Sequence, residues 1–285
     1  MTIAEITSTV PTSLGGLHVR AVGNGPPAVL WHSMFVDSSS WDRVLPTLAE
    51  HRRLFLIDAP SSGKSDALVR PTDIEACASA AAELMTSLAE NLGGPVDWLG
   101  NAWGGHVGMH LAATRPDLVR TLTAISAPTN PISKPLRLKV RALAPLYRVF
   151  GPRGLPRKAI EETLFTDRTR ATDTEAVALL NASMRRVPNA AMVNAISTAI
   201  LNRTDLTRAV EKIDCPTLFV TTDDRGEWTP AEARAVAATM TDAREVTVSG
   251  ARVIPAIEQP AGLSAAVLEF WNQHGDTSSD ARGVY

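Results

Sequence analysis

The sequence predicts an α/β protein: a mostly parallel, doubly wound sheet with a helical cap inserted late in the chain. Three observations predict it. Short apolar runs of strand type alternate with helical patterns up to residue 128. The alternation stops from 129 to 211, where the pattern is helical, rich in Arg and Pro, and free of any convincing strand. Strand-type residues return at 216–222 and 244–250, each run followed by a helix. A chain of 285 residues is long enough for one large domain with such an insertion.

The elements follow in order. PAVLWH at 27–32 is a short buried-type strand, and RLFLID at 53–58 is another. Between them, 41–50 reads as a helix with Trp41, Val44, Leu45 and Leu48 on one face. Thr72 and Glu75 look like a capping box, opening a helix to Leu92 that Gly93 and Gly94 stop. VDWLG at 96–100 is a strand that runs without pause into a helix, and LVRTLTAIS at 118–126 is the next strand. The last helix, 260–273, sets Leu263, Val267, Phe270 and Trp271 on one side. The expected organisation is a core in two pieces, 1–128 and 212–274, a cap at 129–211, and a polar, disordered tail at 275–285.

Composition narrows the function. A net charge of -2 gives no electrostatic reason to expect nucleic acid. Cys77 and Cys215 are far apart and lack metal-type spacing, which fits a reducing cytoplasm. The first residues carry no signal-peptide pattern, and no apolar run has membrane-spanning length, so no membrane partner is expected. No metal site and no dinucleotide fingerprint is visible, so no cofactor is expected. The expected partner is a small-molecule ligand or substrate; oligomeric state is not legible.

Five segments, in order, carry a family pattern. His32-Ser33-Met34 follows an early strand. Asp58 to Asp66 reads D-A-P-S-S-G-K-S-D, with Ser61 where a Gly is usual. Gly100-Asn101-Ala102-Trp103-Gly104 joins a strand to a helix by a sharp turn. Thr221-Thr222-Asp223-Asp224 ends a strand, and Ser249 to Pro255 is followed by Glu258-Gln259-Pro260. Together these resemble the α/β-hydrolase fold, whose nucleophile elbow is written G-x-S-x-G. The resemblance implies an oxyanion hole from the N–H groups of Met34 and Trp103, a triad acid at Asp224, a nucleophile position at Ala102 and a catalytic histidine position at Val253. It also implies a pocket including His32, Ser33 and Trp228.

Two of those positions are chemically inert. Acyl transfer needs a hydroxyl that attacks and an imidazole that takes its proton. Ala102 and Val253 supply neither. Loss of both residues reads as native rather than as a single laboratory change. Asp224 and Arg252 remain as candidate catalytic groups, and Arg252 either pairs with Asp224, binds a carbonyl or anion, or points to solvent. His106 is expected to face the sheet or a neighbouring helix. Trp103 and Trp228 are candidate pocket aromatics, and Glu227 is a carboxylate near the site. Ser126 ends a strand where some relatives place an acid. The basic amphipathic stretch 137–150 closes the pocket with its apolar face or, on a second reading, lies on a membrane surface.

The first functional expectation is therefore a cofactor-free, non-hydrolytic catalyst of cyclase, dehydratase, isomerase or decarboxylase type, acting on a small apolar carbonyl compound. A non-catalytic carrier or sensor, and a hydrolase of esters, lactones or thioesters with an altered nucleophile position, stand beside it.

Overall fold

The computed structural model describes residues 5–224 and 226–274. Eight strands form one sheet in the order β1-β2-β4-β3-β5-β6-β7-β8. They are β1 (Glu5–Thr12), β2 (Gly15–Val22), β3 (Pro27–Trp31), β4 (Arg53–Ile57), β5 (Val96–Asn101), β6 (Val119–Ile125), β7 (Thr217–Thr222) and β8 (Ala243–Val248). The six expected strands are β3 to β8, and all pair in parallel. β1 and β2 are an antiparallel hairpin that adds to β4 and that the apolar-run pattern missed. β1 is too exposed and polar to register as a core strand.

Helices of eight or more residues are α1 (Ile74–Ser87), α2 (Trp103–Thr114), α3 (Lys134–Phe150), α4 (Gly154–Leu164), α5 (Thr174–Arg186), α6 (Asn189–Ile196), α7 (Pro230–Ala237) and α8 (Pro260–Gln273). Every residue of β5 and β7 is buried, as expected of central strands of a sheet covered on both faces. Between β6 and β7 the described chain is helical throughout its regular structure. None of the helices is long and apolar enough to cross a membrane. The tail expected at 275–285 lies outside the described residues.

Two local expectations are corrected. The helix expected at 41–50 is a 3-10 turn, Ser38–Trp41, and a separate four-residue helix, Leu45–Leu48, with Pro46 in its first turn. Proline has no N–H to continue a preceding helix. The cap of α1 is Asp73, whose carboxylate accepts from the Ala76 N–H at 2.9 Å. Thr72 is engaged elsewhere: its N–H donates to Thr198 at 2.9 Å and its carbonyl accepts from Asn202 at 2.7 Å.

One charge is buried within β5. The Asp97 side chain has no solvent exposure. Arg52 Nε lies 2.7 Å away, Arg120 Nη2 2.5 Å and Thr121 Oγ1 2.7 Å, so the carboxylate is paired and hydrogen-bonded. Arg52 also stacks over Trp271 of α8.

Candidate active site

The turn between β5 and α2 is forced by packing. A Cβ on Gly100 would lie 2.1 Å from the Gly104 carbonyl, and one on Gly104 would lie 2.1 Å from the Trp31 carbonyl oxygen. Only glycine fits at either place, so strand and helix meet at backbone contact. Ala102 sits at the apex with φ 47° and ψ -100°. Its N–H donates to the Ile125 carbonyl at 2.7 Å, and its carbonyl accepts from the His106 N–H at 3.0 Å. Trp103 opens α2, so its N–H has no acceptor within the helix.

Among the described residues, four other than glycine have positive φ: Phe35, Ser61, Ala102 and Ser126. Three of them, Phe35, Ala102 and Ser126, line one pocket. Such conformations cost on the order of 1–3 kcal/mol each and cluster at functional sites. The turn Ser33-Met34-Phe35 after β3 borders the same space.

The cavity is about 750 Å³ and lies between the C-terminal ends of β5, β6 and β7 and the helices that join β6 to β7. Val140, Leu143, Tyr147, Ile160, Leu164 and Ile200 give it an apolar wall. Buried polar atoms without a hydrogen-bond partner on its lining residues include His106 Nδ1, Ser126 Oγ, the Tyr147 hydroxyl and the Trp103 and Trp228 Nε1 atoms, beside the Nε atoms of Arg170, Arg203 and Arg252. Buried polar groups are normally paired, so a ligand or water is the natural partner here. His106 borders this pocket rather than only the sheet. Its Nε2, 3.0 Å from the Pro128 carbonyl, is the donor, which leaves Nδ1 as an acceptor. Burial, then the charge of Arg203, holds His106 down to about 3.

Arg252 is buried, with its side chain 5% exposed, and does not point to solvent. Its guanidinium donates to the Glu162 carbonyl, to Asp224 Oδ2 at 2.9 Å and to Asp167 Oδ1 at 3.3 Å. Asp224, expected at the pocket floor, does not itself line the cavity; it accepts from Arg252, which does. Val253 also lines it. Asn101 Nδ2 donates to the Ile125 carbonyl at 3.2 Å and the Val253 carbonyl at 2.9 Å, so the loop after β8 is fastened beside Ala102. His32 is not a pocket residue. It is fully buried, with Nδ1 2.6 Å from the Ser33 carbonyl and Nε2 accepting from the Ala59 N–H at 2.9 Å, and both ring nitrogens are spent on backbone. Trp228 lines the pocket, edge-on to Phe219. Glu227 lines it too, but Arg203 claims both carboxylate oxygens at 2.7 and 2.9 Å.

The Met34 turn is tied to the insertion. Asp37 Oδ2 accepts from Ser183 at 3.0 Å and from Arg186 at 2.6 Å, both on α5. Arg43 grips Asp173 with two nitrogens, at 2.6 and 2.9 Å.

The family whose pattern the chain matches is described as "Alpha/beta hydrolase family", over residues 28–266. The chain belongs to the alpha/beta hydrolase family. It is 28% identical over 263 residues to a pimeloyl-[acyl-carrier protein] methyl ester esterase of Xanthomonas oryzae, covering 89% of this chain and 98% of that protein. A Nitrosomonas europaea protein of the same name is 30% identical over 115 residues, which span 42% of it and 40% of this chain. In fold the chain resembles a thermophilic esterase from Thermogutta terrifontis, with a TM-score of 0.85, 23% identity and coverage of 95% of this chain and 100% of that one. It also resembles an enol-lactonase from Burkholderia xenovorans, with a TM-score of 0.82, 22% identity and coverage of 93% and 100%. These proteins are named for breaking ester or lactone bonds. The expectation of a non-hydrolytic catalyst is corrected by them: inert side chains at 102 and 253 argue against an acyl-enzyme, not against hydrolysis as such.

Proposed function

We propose that this protein hydrolyses a carboxylic ester, lactone or thioester of a small, largely apolar acyl group, by attack of water rather than through an acyl-enzyme. The observation that carries the reading is the strained turn at Ala102, which faces an apolar cavity beside the Met34 turn. In this reading the substrate carbonyl rests against the N–H groups of Trp103 and Met34. Donors so placed stabilise the charge that develops on oxygen, at about 2.7–4 kcal/mol for one such donor. Residues 129–211 act as a cap over a core of 1–128 and 212–274.

The methyl of Ala102 leaves room at the elbow for a water molecule. Ser126 Oγ and uncharged His106 Nδ1 are unpartnered groups suited to hold it. Water oxygen bonds to the carbonyl carbon, the tetrahedral oxyanion collapses, and the carbon–oxygen or carbon–sulfur bond of the leaving group breaks. The leaving group takes the proton that water gives up. Arg252 keeps Asp224 paired and adds positive potential at the cavity wall.

The test is turnover of a panel of aryl and alkyl esters, lactones and acyl thioesters, read with a fluorophosphonate probe. Turnover without a burst and without a covalent adduct is the expected result, with kcat reduced in Ser126→Ala. Absence of turnover across the panel overturns the hydrolase reading. Turnover with an adduct on a serine overturns attack by water alone.

A further inference from the structure

Helix α3 has two apolar stripes, and the cavity uses only one. Leu136, Val140, Leu143 and Tyr147 face the pocket. Leu138, Ala142, Leu146 and Val149 form a second stripe at helical spacing on another face of the helix. Among the described residues this second stripe is left exposed. Leu138 is 71% exposed, Val149 70% and Phe150 59%, and Leu155 at the start of α4 is 69% exposed. Large exposed apolar side chains elsewhere in the described chain are the isolated Ile6 and Val69. Clustering of this kind marks an interaction surface.

The charge around the stripe has one sign. Lys134, Arg137, Lys139, Arg141, Arg148 and Arg153 surround it, and none of these six has an ion-pair partner among the described residues. No Asp or Glu occurs from Pro128 to Ile160. The whole chain is nonetheless slightly acidic, with a net charge of -2, so this cationic face is local. Pro145 within α3 leaves the helix intact from Lys134 to Phe150.

We infer that α3 and the start of α4 dock on an anionic lipid surface, with Leu138, Leu146, Val149, Phe150 and Leu155 entering the headgroup layer and the cations meeting lipid phosphates. A helix with an apolar stripe flanked by Lys and Arg lies in the plane of such an interface, and binding scales with the apolar area buried plus electrostatic attraction. A second copy of the chain is a poor occupant, because a symmetric pairing would press these cations against their own kind. Lys139 is exposed and also lines the cavity, so the cavity reaches the surface beside this stripe. The inference stands apart from the hydrolase reading, since none of the exposed apolar side chains touches the pocket.

Co-sedimentation of the purified protein with phosphatidylcholine vesicles, with and without phosphatidylglycerol, tests it. The expected result is salt-sensitive partitioning onto the phosphatidylglycerol vesicles alone. Val149→Asp with Phe150→Asp lowers that partitioning by about tenfold or more, as does Arg141→Glu with Arg148→Glu. Turnover of soluble esters and the melting temperature stay as in the parent protein in both variants. No partitioning at low salt overturns the inference. So does partitioning that survives Val149→Asp with Phe150→Asp, which would make the face a plain basic patch, or a dimer that this variant dissolves.

Discussion

Restoring a hydroxyl and an imidazole at the elbow makes a sharp test of the site's geometry. In Ala102→Ser the new oxygen stands at the apex, where φ 47° and the Gly100 and Gly104 contacts hold it outward. In Val253→His the imidazole starts from a backbone whose carbonyl Asn101 holds 2.9 Å away, and Asn101 is the residue before the apex. The two side chains therefore rise from neighbouring points on one rim. General acid–base catalysis contributes typically about 10²–10⁴-fold, or roughly 3–5 kcal/mol. The double variant is expected at the lower end, about 10²-fold above the parent in kcat/KM, because Asp224 is held by Arg252 at 2.9 Å and is not offered to the imidazole. Adding Arg252→Gly removes that bond and is expected to gain a further factor of about ten, since an orienting acid sets the tautomer. The assay is p-nitrophenyl ester hydrolysis with a fluorophosphonate burst counted per folded molecule. A double variant that labels and turns over no faster than the parent would refute the placement of 102 and 253 as partners. A triple variant no faster than the double would refute the claim that Arg252 withholds Asp224.

Two further outcomes follow from buried groups. His106 has a folded value of about 3 against an ordinary 6.5, so between these pH values the unfolded chain binds a proton that the folded chain does not. Stability therefore falls as pH drops from 6.5 toward 3, with a limiting slope of about 1.4 kcal/mol per pH unit. Urea titrations from pH 7.5 to 4.5 should show a shallower loss in His106→Phe than in the parent, and equal slopes would remove His106 as a cause. His32, lowered by burial, contributes in the same direction in both proteins. Asp97→Ala removes the carboxylate that pairs Arg52 and Arg120 and should cost about 3 kcal/mol, at the low end for breaking a buried pair because both arginines keep some solvent contact. Urea unfolding reads that cost, while turnover per folded molecule stays unchanged; a cost below about 1 kcal/mol would mean the network carries no net energy.

The parallel strands β3, β4, β5 and β7 were legible because they are short, almost wholly buried and rich in apolar residues. The β1–β2 hairpin was not, because β1 has seven of eight residues at least partly exposed, and its register depends on pairing with β2 rather than on burial. The elbow was legible from glycine spacing, since close approach of backbone admits no other residue. What spacing does not report is side-chain direction. His106, expected to face the sheet or a neighbouring helix, reaches the pocket because its ring direction is set by a carbonyl 22 residues away. Ser126 faces the pocket on a positive φ that no residue type announces. Arg252 looked equally suited to solvent, since Glu162 and Asp167 reach it from the insertion, 90 and 85 residues off.

The bonds from Asp37 and Arg43 to the insertion have a mechanical corollary. The segment that would cradle the substrate's oxygen is coupled to the helices between β6 and β7, because Ser183 and Arg186 bond Asp37 just after it and Asp173 bonds Arg43 a few residues further on. Mutations in α5, far from any reacting atom, are thus transmitted to the cradle as a change in its aim. In this chain, substitutions in those helices are expected to tune turnover as well as the choice of substrate, and directed evolution aimed at one would drag the other with it.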